Sequence, residues 1–253
     1  MLRAIRGELP HENLVYVADS GHAPYGDRHA GFISDRAARI TEFLLAQGAK
    51  AIVVACNTAT VVAVERLRSW CPVPIVAMEP AIKPASLTTK SGVVGVLATS
   101  RTLASPSVAR LCKAYGENVE IILQPCPGLV EQVEQVKLVD DATRALLVEY
   151  IAPLLAAGVD TIVLGCTHYP FLARLIGEIV GPEVAILDPA TAVAKEVARR
   201  LADQRIAVPR PPSTRFFSSG HPETARAVIS ALWGSSVEVH GIEDARASRA
   251  AGA

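Results

Sequence analysis

Two stretches of the sequence decide the fold: QGAKAIVVACNT at residues 47–58 and AGVDTIVLGCTH at residues 157–168. They align without a gap, so that Cys56 matches Cys166. Each has the pattern of a helix end, a glycine that stops the helix, a short apolar strand and then a cysteine. Two copies of one helix–strand–turn pattern predict a duplicated unit, and hence two similar α/β halves.

Apolar, β-branched runs alternate with helix-like segments on either side of these two stretches. The runs are apolar on both faces, as in strands of a parallel sheet that is covered on both sides. The predicted strands are Leu14–Ala18, Ala51–Ala55, Ile75–Ala77, Val93–Ala98, Val119–Leu123, Thr161–Leu164, Val184–Leu187 and Phe216–Gly220. The predicted helices are Phe32–Gln47, Ala59–Trp70, Pro106–Tyr115, Ala142–Ala157, Tyr169–Val180 and Ala190–Asp203. This alternation predicts the α/β class, with two similar doubly wound, mainly parallel-sheet domains related by pseudo-duplication.

The domain boundaries follow from where the chain passes between the two halves. We expect the crossover near Glu79–Pro84 and the return after Asp188. The first predicted domain is therefore residues 1–83 plus 190–253, and the second is residues 84–189.

Composition and charge exclude several classes of protein. The 253 residues include 25 Lys+Arg and 25 Asp+Glu, which gives a formal net charge of zero. No basic field is available to attract nucleic acid or an anionic membrane, so we expect neither as a direct partner. No apolar run approaches the roughly 18–20 residues of a membrane span, and the N-terminus lacks the apolar core of a signal peptide. We therefore expect a soluble, cytoplasmic protein.

Five cysteines are present, and their spacing matches neither a disulfide framework nor a set of zinc ligands. We expect reduced thiols and no metal site. Cys71, Cys112 and Cys126 are expected to be small buried residues, the commonest role of a free cysteine.

Cys56 and Cys166 differ from the other three because each follows a predicted strand at the point where a helix begins. Ligands of open α/β sheets bind outside the carboxyl ends of the strands. A helix N-terminus favours thiolate, Thr58 and Thr167 can donate to a bound carboxylate, and His168 could be an acid/base partner of Cys166. If the halves face each other across a cleft, two thiols on opposite sides of one Cα could racemise it. The spacing alone leaves open that both cysteines are simply packed.

Seven motifs resemble, in order, those of bacterial glutamate racemases, and they run over nearly the whole chain. The CNTA and GCTHYP pair is specific to this family, and PYG and PCPGLV separate it from more distant aspartate racemases. The motifs are ADSGHAPYG (18–26), ACNTA (55–59), EPAIKPA (79–85), GVLAT (95–99), PCPGLV (125–130), LGCTHYP (164–170) and FFSSGHPE (216–223).

The resemblance implies a role for each matching residue. Cys56 and Cys166 would be the two catalytic acid/bases, on opposite faces of Cα, with His168 assisting the second. The implied substrate-binding residues are Tyr25, Gly26, Asn57, Thr58, Thr99, Thr167 and His168, with Pro24 and Glu134 as weaker candidates. The resemblance also implies an active site in the cleft between the domains, no cofactor or metal, a homodimer, and a product, D-glutamate, that is used for peptidoglycan.

One departure from the family pattern concerns the beginning of the sequence. Family members start with a strand that ends in an Asp-Ser-Gly turn, whereas this sequence starts at Met1 with what resembles the following helix. A misassigned start and a true truncation both explain this. We expect the chain as given to be less stable and less active than a version extended upstream, because an absent inner strand leaves backbone groups of its neighbours unpaired. Equal turnover by the two versions would contradict this expectation.

Three other functions stay open from the sequence. The chain could be an aspartate racemase or a broader amino-acid racemase of the same superfamily. It could be an inactive, racemase-like binding protein, since the family includes members that inhibit DNA gyrase. It could also be a cysteine hydrolase that uses Cys166 with His168, although residues so close in sequence rarely supply the required geometry.

Overall fold

A computed structural model describes residues 1–26, 28–204 and 211–242 of the chain. The chain forms two compact units. Unit 1 comprises Met1–Val54, Val62–Val76 and Ala190–Ala253, and unit 2 comprises Ala55–Val61 and Ala77–Pro189. Residues 55–61 and 77–83, which the sequence analysis assigns to the first domain, thus group with unit 2. The domain boundaries themselves stay a prediction.

The elements alternate along the chain much as predicted. The strands are β1 (Leu14–Ala18), β2 (Ile52–Val54), β3 (Ile75–Ala77), β4 (Val93–Ala98), β5 (Glu120–Pro125), β6 (Thr161–Leu164), β7 (Ala185–Leu187), β8 (Thr214–Ser218) and β9 (Val239–Gly241). The α-helices are α1 (Leu2–Glu8), α2 (Ala30–Ala46), α3 (Asn57–Arg68), α4 (Ile82–Thr88), α5 (Ser100–Leu103), α6 (Pro106–Tyr115), α7 (Leu129–Glu134), α8 (Asp141–Ala156), α9 (Ala173–Val180), α10 (Ala190–Leu201) and α11 (Pro222–Trp233).

The helix predicted from Tyr169 differs from the prediction at its start. Tyr169–Leu172 is a 3₁₀ turn, and α9 begins only at Ala173. The N–H of Tyr169 bonds the carbonyl of Cys166 at 3.1 Å, three residues back, as in the tighter 3₁₀ geometry. The chain that follows the second cysteine is therefore compact and closely packed.

Unit 2 contains a four-stranded parallel sheet in the order β5-β4-β6-β7. All four residues of β6 are buried, and so are all residues of β4 except the first. Strands that are buried on both faces need apolar side chains throughout, which explains the continuous VVGVLA and TIVL runs. The carboxyl end of β6 carries the second cysteine motif.

Unit 1 has its strands in two sheets. The order in the larger sheet is β1-β8-β9, all parallel, while β2 pairs with β3. In residues 1–26, 28–204 and 211–242, no strand pairing joins these two sheets. The α/β class with mainly parallel sheets is confirmed in both units.

The two stretches that suggested a duplication share one local structure. Gly48 and Gly158 have φ of 77° and 81°, which is the left-handed region that favours glycine. The residue after each glycine donates its N–H to a carbonyl five positions back, at 3.1 Å in both copies. This is the Schellman ending of a helix, and it directs the chain into the strand that leads to each cysteine.

Candidate active site

Cys56 lies in unit 2 at the start of α3, where it follows β2. Its Sγ accepts a hydrogen bond from the N–H of Ala59 at 3.4 Å. Burial raises the pKa of the Cys56 thiol to about 11, the N–H of Ala59 lowers it, and negative charge on Cys166 raises it again. Cys56 is therefore a protonated thiol at neutral pH, able to give a proton.

Three threonine hydroxyls form a cluster beside this turn. Oγ1 of Thr58 lies 3.0 Å from Oγ1 of Thr99 and 3.3 Å from Oγ1 of Thr102. Thr99 also caps α5, accepting the N–H of Thr102 at 3.3 Å. Thr58 and Thr99 are thus brought together as the family resemblance implies. Thr102 is fully buried, and the sequence analysis missed it. The sequence feature that could have indicated Thr102 is its position three residues after Thr99, the threonine that caps α5.

Asn57 is the first residue of α3 and is 2% exposed. Within the described part of the chain, its side-chain amide nitrogen and oxygen have no hydrogen-bond partner. Buried polar groups in native proteins are nearly always paired. Both amide atoms are therefore available to a polar ligand.

Cys166 lies just beyond β6, in the same unit, and is 8% exposed. Gly165, which separates it from the strand, packs against β4. A Cβ at Gly165 would lie 2.8 Å from the Cβ of Ala98 and 2.9 Å from the carbonyl oxygen of Leu97. Only glycine fits this close approach, which sets the position of the cysteine above the sheet.

His168 joins the second thiol to a carboxylate. Its Nδ1 lies 3.8 Å from Sγ of Cys166, and its Nε2 lies 2.8 Å from Oε1 of Glu134, at the end of α7. The loss of solvent around the ring lowers the pKa of His168. The hydrogen bonds and negative charges of Cys166 and Glu134 outweigh this effect and raise the pKa to about 10. His168 is therefore an imidazolium at neutral pH. Thr167, between the two, is half-buried.

The third thiol of this region, Cys126, is buried as predicted, at 2% exposure. Its carbonyl oxygen accepts the hydroxyl of Tyr169 at 3.1 Å, which ties its loop to the turn after Cys166. Cys71 and Cys112 are only partly buried, so the expectation of full burial was wrong for them.

The other predicted binding residues, Pro24, Tyr25 and Gly26, lie in unit 1, in the loop between β1 and α2. The hydroxyl of Tyr25 donates a short hydrogen bond to Oδ2 of Asp19. Asp19 lies in the ADSGHAPYG motif, but no role for it was predicted from the sequence.

No group of three or more His, Cys, Asp or Glu side chains that could hold a metal ion occurs in the described ranges. The independence from metals and cofactors stays a prediction from the family. Within those same ranges, every helix is too short or too polar to cross a membrane.

Comparisons with known proteins point to one family. A family model described as Asp/Glu/Hydantoin racemase matches residues 1–197. Glutamate racemase of Ectopseudomonas mendocina (strain ymp) is 51% identical over 242 residues, which are 95% of this chain and 92% of that protein. Glutamate racemase of Pseudomonas aeruginosa (strain PAO1) is 48% identical over 237 residues, covering 93% and 89% of the two chains.

Solved structures give the same result for the fold. The chain is similar to Escherichia coli glutamate racemase in complex with L-glutamate and the activator UDP-MurNAc-Ala, with a TM-score of 0.85 and 28% identity, over 95% of this chain and 91% of that one. It is also similar to the Thermus thermophilus enzyme in complex with β-chloro-D-alanine, with a TM-score of 0.76 and 34% identity, over 94% and 90% of the chains. The family model, the near-half identity to these relatives and the shared fold lead to one conclusion. The chain belongs to the Asp/Glu/Hydantoin racemase family.

Proposed function

We propose that this chain interconverts L- and D-glutamate by a two-thiol mechanism that uses no cofactor. The observation that carries the proposal is the chain of contacts from Cys166 through His168 to Glu134, in the same unit as the protonated thiol of Cys56. One thiolate and one thiol are what a two-base racemisation needs at its start.

The contacts of the two thiols suggest a direction for each proton. In this proposal Cys166, whose Sγ faces the ring of His168, is the base that removes the Cα proton of one enantiomer. Cys56 then gives its proton to the opposite face of Cα. The step leaves a thiol on Cys166 and a thiolate on Cys56, which is the starting state for the reverse direction.

The negative charge that develops beside the substrate carboxylate needs preorganised donors. The unpaired amide of Asn57 and the hydroxyls of Thr58 and Thr99 are suited to this role. Thr167, beside the second thiol, would contribute a further hydroxyl. We propose that Pro24, Tyr25 and Gly26 bind the remainder of the substrate.

The proposal is tested by measuring the racemisation of L-glutamate, as the loss of optical activity, in the unchanged protein and three single variants. Cys56→Ser and Cys166→Ser should each lower kcat by about 10²–10⁴-fold, the usual contribution of an acid/base group. Cys71→Ser is the control, because Cys71 is a partly buried thiol in unit 1 that has no proposed role. Its kcat should equal that of the unchanged protein.

L-Aspartate, assayed in parallel, separates the proposal from the closest alternative. Faster turnover of L-aspartate than of L-glutamate would contradict glutamate specificity while keeping the two-thiol chemistry. Full activity of either active-site variant would contradict the mechanism. Two results together would favour the binding-protein alternative, inhibition of gyrase included. The protein would turn over neither substrate, and the Cys56→Ser variant would keep the biological effect.

We further propose a homodimer in the cytoplasm whose D-glutamate enters peptidoglycan, as the family resemblance implies. Light scattering on the purified protein tests the dimer. A mass equal to that of one chain at working concentration would contradict it.

A further inference from the structure

One buried carboxylate organises the loop that carries Tyr25. The side chain of Asp19, which directly follows β1, is 8% exposed. It accepts two hydrogen bonds from Arg36 of α2, from Nε at 3.0 Å and from Nη2 at 2.6 Å. It also accepts the hydroxyl of Tyr25, and Nδ1 of His22 lies 3.2 Å from its other oxygen.

The main chain of Asp19 reinforces the same loop. Its carbonyl oxygen accepts the N–H of His22 at 2.9 Å and that of Ala23 at 3.0 Å. The residue therefore ties the start of the loop through its backbone and the far end, at Tyr25, through its side chain. Arg36 connects this whole arrangement to α2.

The pairing of Arg36 with Asp19 is suited to holding the carboxylate in one orientation. A guanidinium that binds both oxygens of a carboxylate sets the plane and rotation of that carboxylate, which a lysine cannot do. Burial raises the pKa of Asp19, but the hydrogen bonds of Arg36, Ser219 and Tyr25 and the charge of Arg36 outweigh this effect. The pKa is lowered below its usual value, so Asp19 is ionised at neutral pH. Buried ion pairs contribute little net stability in many proteins, and in some systems they specify one conformation.

The fixed carboxylate in turn fixes Tyr25. The phenol donates a hydrogen bond to Asp19, which favours one orientation of the ring in the loop. Rotation or loss of the carboxylate would remove this constraint on the ring and on the backbone that leads to Gly26.

We infer that Arg36 is a positioning residue for substrate binding, acting through Asp19 on Tyr25. The inference rests on the proposed function, in which Tyr25 and Gly26 bind glutamate. Arg36 moves no proton in that mechanism. Its alteration should therefore weaken binding and leave the chemical step unchanged.

Steady-state kinetics of Arg36→Lys and Tyr25→Phe test this inference. The first keeps the charge and removes the bidentate geometry, and the second removes only the hydroxyl. Arg36→Lys should raise KM for L-glutamate about tenfold, the equivalent of one charge-assisted hydrogen bond, with kcat unchanged. Tyr25→Phe should raise KM by a similar factor. The KM of the double variant should be no higher than that of the more impaired single variant, because both changes break the same connection.

Arg39→Lys is the matched control, since Arg39 is an exposed arginine on the same helix. Its KM should equal that of the unchanged protein. The kinetic isotope effect of Cα-deuterated glutamate on kcat should be the same in all variants, because the chemical step is unchanged. A general loss of folding would instead lower the apparent kcat at constant KM.

An unchanged KM in Tyr25→Phe and Arg36→Lys, or a lower kcat at constant KM, would overturn this inference but not the proposed function. So would losses that multiply in the double variant. If Arg36→Lys fails to fold, an unchanged KM in Tyr25→Phe would still overturn the inference, because that variant loses only the hydroxyl that Asp19 holds. Absence of glutamate turnover by the unchanged protein would overturn the proposed function, and this inference with it.

Discussion

Oε1 of Glu134 lies 2.8 Å from Nε2 of His168, while the other ring nitrogen of His168 faces Sγ of Cys166 at 3.8 Å. The carboxylate fixes the ring orientation and favours a proton on Nε2. The charge of His168 therefore depends on a residue that does not itself contact the thiol.

Glu134→Gln should lower the pKa of His168 from about 10, because the substitution removes a negative charge and weakens the hydrogen bond to the imidazolium. The imidazolium of His168 should then lose its proton at a pH about 1–2 units lower than in the unchanged protein. An NMR titration of the His168 ring measures this, with His168→Gln to assign the signal. Glu183→Gln, an exposed residue of the same unit, is the control. A pKa of His168 that did not change in Glu134→Gln would show that Glu134 is not its partner in solution.

Cys56 should stay protonated well above neutral pH. Burial raises its pKa to about 11, so its thiolate should appear only in strongly alkaline solution. The ultraviolet absorption of thiolate, titrated in the unchanged protein and in Cys56→Ser, gives this pKa as a difference in which the other cysteines and tyrosines cancel. A difference that titrated below pH 9, roughly the value of a free thiol, would contradict the assignment of Cys56 as the resting acid.

The sequence predicted the parts of this site that depend on local pattern. Glycine, apolar strand and cysteine recur in both copies, so the positions of Cys56 and Cys166 at strand ends followed from spacing alone. The helix from Tyr169 was predicted to start too early, because a pattern of apolar residues does not distinguish a 3₁₀ turn from the first turn of an α-helix.

Contacts between residues distant in sequence could not be predicted in this way. Thr102 meets Thr58 only because the first residues of α3 group with α5 in one folded unit. Arg36 lies on α2 among other charged residues, and nothing in its spacing indicates a buried partner. Such pairings depend on tertiary packing, which a single sequence does not reveal.

Val136→Gly should stabilise the protein. Val136 has a φ of 58°, in the left-handed region, where a β-branched residue is strained. It occupies the position after the C-cap of α7, and the N–H of Lys137 bonds the carbonyl of Gln132 at 2.8 Å in the Schellman pattern that glycine normally completes. Relief of the strain, less the entropy that glycine gains on unfolding, should raise the free energy of unfolding by about 1 kcal/mol.

Urea denaturation of the two proteins measures this difference. Val139→Gly is the matched control: Val139 is exposed in the same loop, and its φ is not positive. That substitution should be neutral or destabilising, because it adds flexibility without relieving strain. Destabilisation by Val136→Gly to the same extent as by the control would contradict the interpretation of Val136 as strained.

Asp160→Asn should loosen the turn before β4. The carboxylate of Asp160 accepts the hydroxyl of Thr89 at 2.6 Å and the N–H groups of Lys90 and Ser91 at 2.6 and 2.7 Å. These bonds lower its pKa well below the usual range, although burial raises it. Because the lowered pKa belongs to the folded state, the contribution to stability is full above the unfolded value of about 4 and is lost as the pH falls below it.

The loss in Asp160→Asn should be about 1–2 kcal/mol at neutral pH, the usual contribution of hydrogen bonds to a charged acceptor at a partly exposed site. Denaturation measured from neutral to acidic pH should show the two proteins converging progressively in stability below about pH 4, where the carboxylate of the unfolded chain takes up its proton while that of the folded chain stays ionised. Asp140→Asn is the control, since Asp140 caps α8 without a side-chain hydrogen bond and asparagine caps equally well. A difference between Asp160→Asn and the unchanged protein that stayed constant into strong acid would mean that the charge of Asp160 does not hold this turn.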